Sequence, residues 1–289
     1  MFQTNEFGLH ILPQDSANSK LVFYPGYDAD MSMKAVKFAN TIIASNSPND
    51  TGRVSLINSI VKSLIENNSG DSIDISIYDN TMIDCIKWFP LTQGKVSVER
   101  YMPHFKHFCI PKENYTSTDY IEAGCLKVMS QNKFIDILFK EVNSRLNSLL
   151  DMYDYYDYSC YIDGVQNPKM SPHIVIINEF INDGYDEDKL LDLLTLCERA
   201  GVYVILTTQC SSKLGDKVVF MCGNRFALHS NKNLYAKVLG REYEDAWLPQ
   251  YGYVYYKDAI HDTAPDMLKI TFYPNTFLRK FVGSYSIRR

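Results

Sequence analysis

The sequence lacks the features of a secreted or membrane-spanning protein. Its seven cysteines are an odd number without a C-x-x-C pair, which argues against a disulfide framework and against a zinc ribbon. It has no run of about 18 apolar residues, and residues 1–7 form neither a basic nor an apolar signal region. We therefore expect a cytoplasmic protein with reduced thiols and no membrane span.

Positive charge is also scarce. Lys and Arg number 29 against 34 Asp and Glu, which gives a net charge of -5 at pH 7. No global basic field is available to hold nucleic acid, so any DNA contact has to be local. What is present is ordinary: 289 residues, 46% hydrophobic and 22% charged, exclude a disordered or fibrous chain.

Short β-branched runs alternate along the chain with segments of helical period. This alternation predicts one α/β domain with a mostly parallel sheet covered by helices, in which the first strand, helix and strand form a βαβ unit. The predicted strands cover residues 40–44, 73–78, 173–178, 202–208, 225–229 and 251–256. One predicted helix starts near residue 54, and three others cover residues 134–150, 188–200 and 233–239.

Residues 151–163 contain five tyrosines and four aspartates. We interpret this segment as a loop whose rings pack on the body of the protein while the carboxylates stay in water, with a partner-binding patch as the alternative.

Three stretches together resemble the motor domain of FtsK/SpoIIIE-type DNA translocases, which are hexameric P-loop ATPases. Residues 173–180, HIVIINEF, resemble the Walker B strand of that family, and residues 199–209, RAGVYVILTTQ, resemble the strand that ends in its sensor glutamine. Residues 226–256 resemble its late strand, short helix and last strand, with tyrosines in place of the usual Gly-Asp-Met. Residues 52–61 are similar to the helix that follows its phosphate loop. The ordered set covers residues 37–258 and implies a RecA-like P-loop NTPase fold, preceded by an N-terminal extension over residues 1–36 packed on a motor domain over residues 37–289.

The resemblance places a phosphate loop at residues 47–54, where most of the pattern G-x-x-x-x-G-K-[ST] is altered. A P-loop cradles phosphate with backbone N–H groups, a Lys and a magnesium-binding Ser or Thr. Here only the second glycine, Gly52, survives; an arginine that is not interchangeable with lysine follows it, and then a valine that cannot bind magnesium. On the facing strand Asn178 replaces the metal-holding Asp. The residues implied to contact a nucleotide are Ser47, Asp50, Thr51, Gly52, Arg53, Val54 and Asn178.

Two parts of the catalytic apparatus are retained. Glu179 stands where the family keeps the carboxylate that activates the attacking water, and Gln209 stands where it senses the γ-phosphate. The alternative interpretations are a solvated acid at a strand end and a loop amide. Arg199 and Arg225 are candidates for a finger acting on a neighbouring subunit, with surface salt bridges as the alternative.

Three further patterns point to structural roles. Asp79 matches a family aspartate at a strand end, and we interpret it as a turn residue. His104 and His107 are three residues apart but have no third ligand nearby for a metal. Asp183, Asp186 and Asp188 suggest a calcium loop but lack its glycine and closing glutamate, so we expect the acidic start of the next helix instead.

These observations support three hypotheses. The first is a divergent FtsK/SpoIIIE-like protein with a degenerate nucleotide site, acting as a scaffold or regulatory subunit of an assembly for DNA translocation, conjugation or secretion. The second is an active DNA-dependent ATPase, and the third is an adaptor that no longer binds nucleotide. ATP would bind weakly if at all, and magnesium only through the phosphates. The expected partners are further subunits of a ring, double-stranded DNA and proteins of the assembly. The family's membrane anchor and winged-helix domain have no counterpart in the sequence, so we do not expect a chromosome pump at a septum.

Overall fold

The structure is a computed structural model. It describes residues 3–4, 10–11, 21–46, 51–81, 84–88, 91–92, 95–96, 100–111, 126–166, 168–180, 187–209, 215–243 and 252–288.

In this part of the chain the strands are mostly short. They are β1 (Gln3–Thr4), β2 (His10–Ile11), β3 (Val22–Phe23), β4 (Val36–Lys37), β5 (Thr41–Ala44), β6 (Asp74–Asp79), β7 (Leu91–Thr92), β8 (Lys95–Val96), β9 (Arg100–Tyr101), β10 (Phe105–Ile110), β11 (Leu126–Val128), β12 (His173–Asn178), β13 (Val202–Thr208), β14 (Asn224–Ala227), β15 (Tyr253–Asp258), β16 (Asp266–Lys269) and β17 (Ile287–Arg288).

The helices alternate with these strands. They are α1 (Thr51–Asn67), α2 (Gln131–Tyr153), α3 (Tyr158–Gly164), α4 (Glu187–Cys197), α5 (Asp216–Phe220), α6 (Lys232–Val238) and α7 (Asn275–Tyr285). Short 3-10 turns cover Ile86–Trp88, Glu198–Ala200 and Arg241–Tyr243. None of the described helices is long and apolar enough to cross a membrane.

Nine strands form the central sheet, in the order β11-β10-β6-β12-β13-β5-β14-β15-β16. The first seven run parallel to their neighbours, and only the β14–β15 and β15–β16 pairs are antiparallel. The carboxyl ends of β5, β13, β12 and β6 therefore meet at one edge of the sheet, the place where open α/β sheets carry their ligand sites.

Each face of the sheet is covered by apolar residues from a different set of helices. Helices α1 and α7 pack on one face, through residues such as Ile60, Leu64 and Phe281. Helices α2, α4, α5 and α6 cover the other face, through residues such as Leu138 and Leu193. Because both faces are covered, β12 and β13 are buried along their whole length, which explains their continuous apolar sequences.

The predicted α/β class and parallel sheet are confirmed, and the predictions for β12 and β13 agree with the structure at every residue. The first strand, helix and strand form the predicted βαβ unit, since α1 connects β5 to β6 in the same sheet. Strands β5 and β6 are parallel but not adjacent, because β12 and β13 lie between them. The periodicity of a βαβ segment reports the crossover helix, and it carries no information about strands inserted later.

The tyrosine-rich segment is helical rather than a loop. Helix α2 ends at Tyr153, Asp154 adopts a left-handed conformation, and α3 begins at Tyr158. Asp157 caps α3 by accepting a hydrogen bond from the Cys160 N–H at 2.9 Å. Tyr158 and Tyr161 are fully buried, while Tyr156 is exposed. The expected packing of rings onto the body is therefore confirmed for Tyr158 and Tyr161, but both rings belong to a helix, α3.

Candidate functional site

Arg53 is the third residue of α1, and it is buried to 1% exposure at the carboxyl edge of the sheet. A guanidinium carries five donors and a permanent charge, so burying it requires acceptors and a counter-charge. The position that the sequence assigns to a phosphate-binding cation is therefore an interior one.

The acceptors for Arg53 come from three different elements. Its Nη2 donates to Asp84 Oδ2 at 2.8 Å, and its Nη1 donates to Asn178 Oδ1 and, at 3.3 Å, to Thr207 Oγ1. Its Nε lies 3.8 Å from Glu179 Oε2. The guanidinium thus joins α1 to the ends of β12 and β13 and to the segment after β6. We call Arg53, Asp79, Asp84, Asn178, Glu179 and Thr207 the carboxyl-edge cluster.

Asn178 connects the carboxylates of this cluster. Its Nδ2 donates to Asp79 Oδ1 at 2.7 Å and to Asp84 Oδ2 at 3.2 Å, while its Oδ1 accepts from Thr207 Oγ1 at 2.9 Å. An amide can do this because it carries donors on one side and an acceptor on the other, whereas an ionised carboxylate only accepts. The amide therefore bridges the two carboxylates.

Asp79 organises the turn that follows β6. Its Oδ1 accepts from Thr81 N–H at 3.0 Å and from Thr81 Oγ1 at 2.6 Å, and its Oδ2 accepts from Cys85 N–H at 3.0 Å. These bonds fix the chain on both sides of Asp84, and the interpretation of Asp79 as a turn residue is confirmed. Burial and the nearby Asp79 and Asp84 carboxylates raise the pKa of the Cys85 thiol well above its usual value, so this thiol stays protonated.

Glu179 has a left-handed backbone, with φ 54°, directly after β12. A glutamate adopts this conformation only where its surroundings impose it. Its N–H donates to Thr207 Oγ1 at 3.0 Å, and its carbonyl accepts from Asn80 Nδ2 at 2.9 Å. The carboxylate accepts from the Gln209 N–H at 3.2 Å, so the structure brings together these two residues, which the sequence singles out separately.

The remaining predicted site residues fall into two groups, one in or before the first turn of α1 and one away from the carboxyl-edge cluster. Thr51, Gly52 and Val54 belong to the first turn of α1, while Ser47 and Asp50 lie outside the described residues. Arg199 lies before β13, at the opposite edge of the sheet, and Arg225 on β14 donates through Nε to Cys222 O at 3.0 Å. An arginine finger acts on the nucleotide site of a neighbouring subunit, so the position of these residues within one chain does not test that role. It stays a prediction.

The structure describes three of the candidate metal-binding residues, His104, His107 and Asp188. His104 is buried with Nε2 3.0 Å from Asn68 O, and His107 Nδ1 lies 3.3 Å from Lys127 Nζ. Among the described residues, no group of three or more His, Cys, Asp or Glu side chains could hold a metal ion. Asp183 and Asp186 lie outside those residues, and Asp188 is in the first turn of α4.

Sequence reasoning missed two members of the cluster, Asp84 and Thr207. Thr207 lies within the matched strand, where a polar residue in a buried apolar run was a usable signal. Asp84 follows β6 by five residues in an aperiodic segment, and nothing in its sequence context marks it.

A mostly parallel sheet flanked by helices is shared by several α/β folds, and structural comparison identifies this one as the RecA-like P-loop ATPase fold. The cytoplasmic domain of the type VII secretion ATPase EccC from Thermomonospora curvata superimposes with a TM-score of 0.66 at 15% identity, covering 90% of this chain and 30% of its own. EssC (ATPases 2 and 3) from Geobacillus thermodenitrificans gives 0.65 at 12% identity, with 92% and 48% covered. The pCW3 conjugation coupling protein TcpA, in a monomer form with ATPγS, gives 0.63 at 12% identity, with 94% and 73% covered.

These neighbours are FtsK/SpoIIIE-type P-loop ATPases, so the resemblance seen in the sequence is confirmed for the fold. The chain spans less than half the length of the EccC and EssC structures. No protein-family model matches the sequence, and no curated protein matches it significantly.

Proposed function

We propose that this chain is an FtsK/SpoIIIE-like protein whose nucleotide site is degenerate, and that it acts as a scaffold or regulatory subunit of an assembly for DNA translocation, conjugation or secretion. The structural neighbours, ATPases of a secretion system and a coupling protein of conjugation, support the class of assembly.

The observation that carries the proposal is the state of Arg53. In a working P-loop the cation binds the β- and γ-phosphates. Here the cation is buried and already neutralised by Asp84 at 2.8 Å, with Glu179 Oε2 3.8 Å away. A triphosphate would have to break this ion pair and approach three carboxylates, those of Asp79, Asp84 and Glu179, so its own charge would be repelled.

The donor set does not fit the magnesium ion of a P-loop ATPase. Val54 has no oxygen to offer in its side chain, and the Asn178 amide oxygen already accepts from Arg53 and Thr207. Hard divalent cations prefer carboxylate and water oxygens, and a nearby guanidinium opposes them further. No catalytic step through a metal is therefore proposed.

The direct test measures nucleotide binding and turnover by the unmodified protein. We expect no saturable change in the fluorescence of a mant-ATP probe and no magnesium-dependent ATP hydrolysis above a no-protein blank, with or without double-stranded DNA. The matched comparison is the triple variant R53K/V54S/N178D, which should gain measurable affinity for the probe when magnesium is present. Robust turnover by the wild type would contradict the proposal.

That contrary result would favour an active ATPase, and one contact speaks for it. The Glu179 carboxylate accepts a hydrogen bond from the backbone N–H of Gln209, so these two residues are neighbours. The same carboxylate, however, lies beside Arg53, which competes with any water for it.

The proposed partners are further subunits of a ring, double-stranded DNA and proteins of the assembly. Light scattering coupled to gel filtration tests the first, and we expect a mass several times the 33.3 kDa of one chain. A ring without nucleotide binding would match a scaffold, whereas a monomer at all concentrations would favour an adaptor.

A further inference from the structure

The geometry points to Asp84 as a built-in substitute for a bound oxyanion: we propose that its carboxylate occupies the anion position of Arg53, so that its removal uncovers a site for inorganic phosphate. This inference rests on the proposed loss of nucleotide binding. It adds that the Asp84 carboxylate takes the place of a phosphate group beside Arg53, and that inorganic phosphate would bind there once this carboxylate is removed.

The first argument is the set of donors that converge on Asp84. Its Oδ2 accepts from Arg53 Nη2 at 2.8 Å and from Asn178 Nδ2 at 3.2 Å. A guanidinium and an amide N–H that meet on one oxygen form the kind of arrangement that binds carboxylate or phosphate oxygens equally well.

The second argument is that the carboxylate of Asp84 is not needed to shape its own turn. Asp79 already holds the chain on both sides of Asp84 through Thr81 and Cys85. Among the described residues, the local bond that Asp84 adds runs from its N–H to Thr81 Oγ1 at 3.2 Å, and that bond uses its backbone. Its side chain therefore acts on Arg53 and Asn178.

The third argument is charge. Asp79 is satisfied by neutral donors from Thr81, Cys85 and Asn178, so Asp84 is the direct counter-ion of the buried guanidinium. Without it, the ion pair left to Arg53 within the described part of the chain is the one with Glu179, at 3.8 Å. A buried cation in that state attracts any oxyanion that can reach it.

The fourth argument is access. The Arg53 side chain is 2% exposed, but that of Asp84 is 21% exposed. Shortening residue 84 to alanine therefore opens a path from solvent to the guanidinium, at the same place from which the carboxylate is removed.

The test compares the thermal stability of the full-length wild type and D84A in chloride, inorganic phosphate and acetate at matched ionic strength. In chloride we expect D84A to melt roughly 5–15 °C below the wild type, because one partner of a buried pair is missing. Phosphate raises the melting temperature of folded proteins in general, so the test is the difference: at about ten times its dissociation constant it should raise the melting temperature of D84A by roughly 2–5 °C more than that of the wild type.

Two further variants control the result. D163A removes an exposed aspartate and should respond to each anion as the wild type does. R53M/D84A removes both charges, so phosphate should stabilise it no more than it stabilises the wild type.

Three outcomes would overturn the inference: a D84A protein as stable as the wild type, rescue by acetate but not phosphate, or failure of D84A to fold in either chloride or phosphate. A mant-ATP titration of the wild type separates this result from the proposed function. Binding by the wild type defeats the proposed function, while no binding together with an unrescued D84A defeats only this inference.

Discussion

Strands β6 and β12 carry two buried polar clusters, one near each end. At their carboxyl ends, Asp79 and Asn178 are paired in register and belong to the carboxyl-edge cluster. In their amino halves, Ser76 and His173 are hydrogen-bonded, with Oγ to Nε2 at 2.8 Å. His173 Nδ1 in turn lies 2.9 Å from Glu141 Oε1 on α2, which also accepts from Lys106 Nζ at 2.8 Å. We call Ser76, Lys106, Glu141 and His173 the amino-half cluster.

The two clusters differ in the order of their hydrogen-bonding groups and in their access to solvent. The amino-half cluster has the order serine, histidine, acid that nucleophilic hydrolases use, yet Ser76 and His173 are completely buried. The carboxyl-edge cluster lacks any such order, but its Asp84 and Glu179 side chains are 21% and 23% exposed. Access at the edge where parallel strands end therefore favours the carboxyl-edge cluster over the amino-half cluster as the candidate functional site.

The largest expected effect comes from removing the one cation of the carboxyl-edge cluster. Arg53→Met leaves Asp84 and Glu179 as close carboxylates without a counter-ion, and we expect it to cost about 2–4 kcal/mol of unfolding free energy in urea titrations. The value lies below that of a fully buried pair because both carboxylates reach solvent.

A second substitution checks the cause. R53M/D84N removes one of the stranded charges and should recover at least about 1 kcal/mol relative to R53M. Equal stability of R53M and the wild type would show that the cluster is a surface feature without energetic weight.

The next effect concerns the amino-half cluster. Burial alone would raise the pKa of Glu141, but the hydrogen bonds and charges of His173 and Lys106 lower it well below its usual range. Its ionised form therefore stabilises the fold above the ordinary glutamate pKa of about 4.3, and this contribution is lost as pH falls below it.

We expect Glu141→Gln to cost about 1–3 kcal/mol at pH 7 and less at pH 3.5, measured by urea unfolding at both values. Asp163→Asn, on the exposed face of α3, is the matched control and should change little. A cost that stays constant with pH would mean that the packing of residue 141, rather than its charge, matters.

A smaller effect belongs to His107, which lies beside the amino-half cluster on β10. Burial, together with Lys127 and Lys106, lowers its pKa to about 4. Since the unfolded chain binds a proton near pH 6.5 and the folded chain does not, stability falls as pH drops from 6.5 towards 4. Because the ring is partly exposed, we expect about 1 kcal/mol, and His107→Gln should remove that slope in unfolding curves between pH 7 and 5. An unchanged slope would assign the acid sensitivity to other groups.

The sequence predicts the fold well where one periodicity dominates. The apolar runs of β12 and β13 leave no alternative to buried strands, and the spacing of Val54, Ile57, Val61 and Leu64 leaves none to a helix. By contrast β10, FKHFCI, was not predicted, because Lys106 and His107 in its first half interrupt the apolar pattern.

For the site, the sequence predicts which positions meet but not what they do together. The register implied by the resemblance brings Arg53 to Asn178, and these side chains are hydrogen-bonded. The partner that neutralises Arg53 could not be predicted, because Asp84 reaches it from an aperiodic segment 31 residues away. A side chain placed by a turn is fixed by tertiary contacts, and those leave no local pattern in the sequence.

The smallest expected effect concerns the reactivity of Ser76, and it tests directly whether the amino-half cluster is closed to solvent. We expect a fluorophosphonate probe to leave Ser76 unlabelled in the folded protein, as judged by mass spectrometry of its peptide. Strand β6 lies between β10 and β12, so the backbone N–H groups around Ser76 are engaged in the sheet and cannot stabilise an oxyanion. Specific labelling that disappears in Ser76→Ala and in His173→Gln would show that the amino-half cluster opens to solvent, and it would then compete with the carboxyl edge as the functional site of this chain.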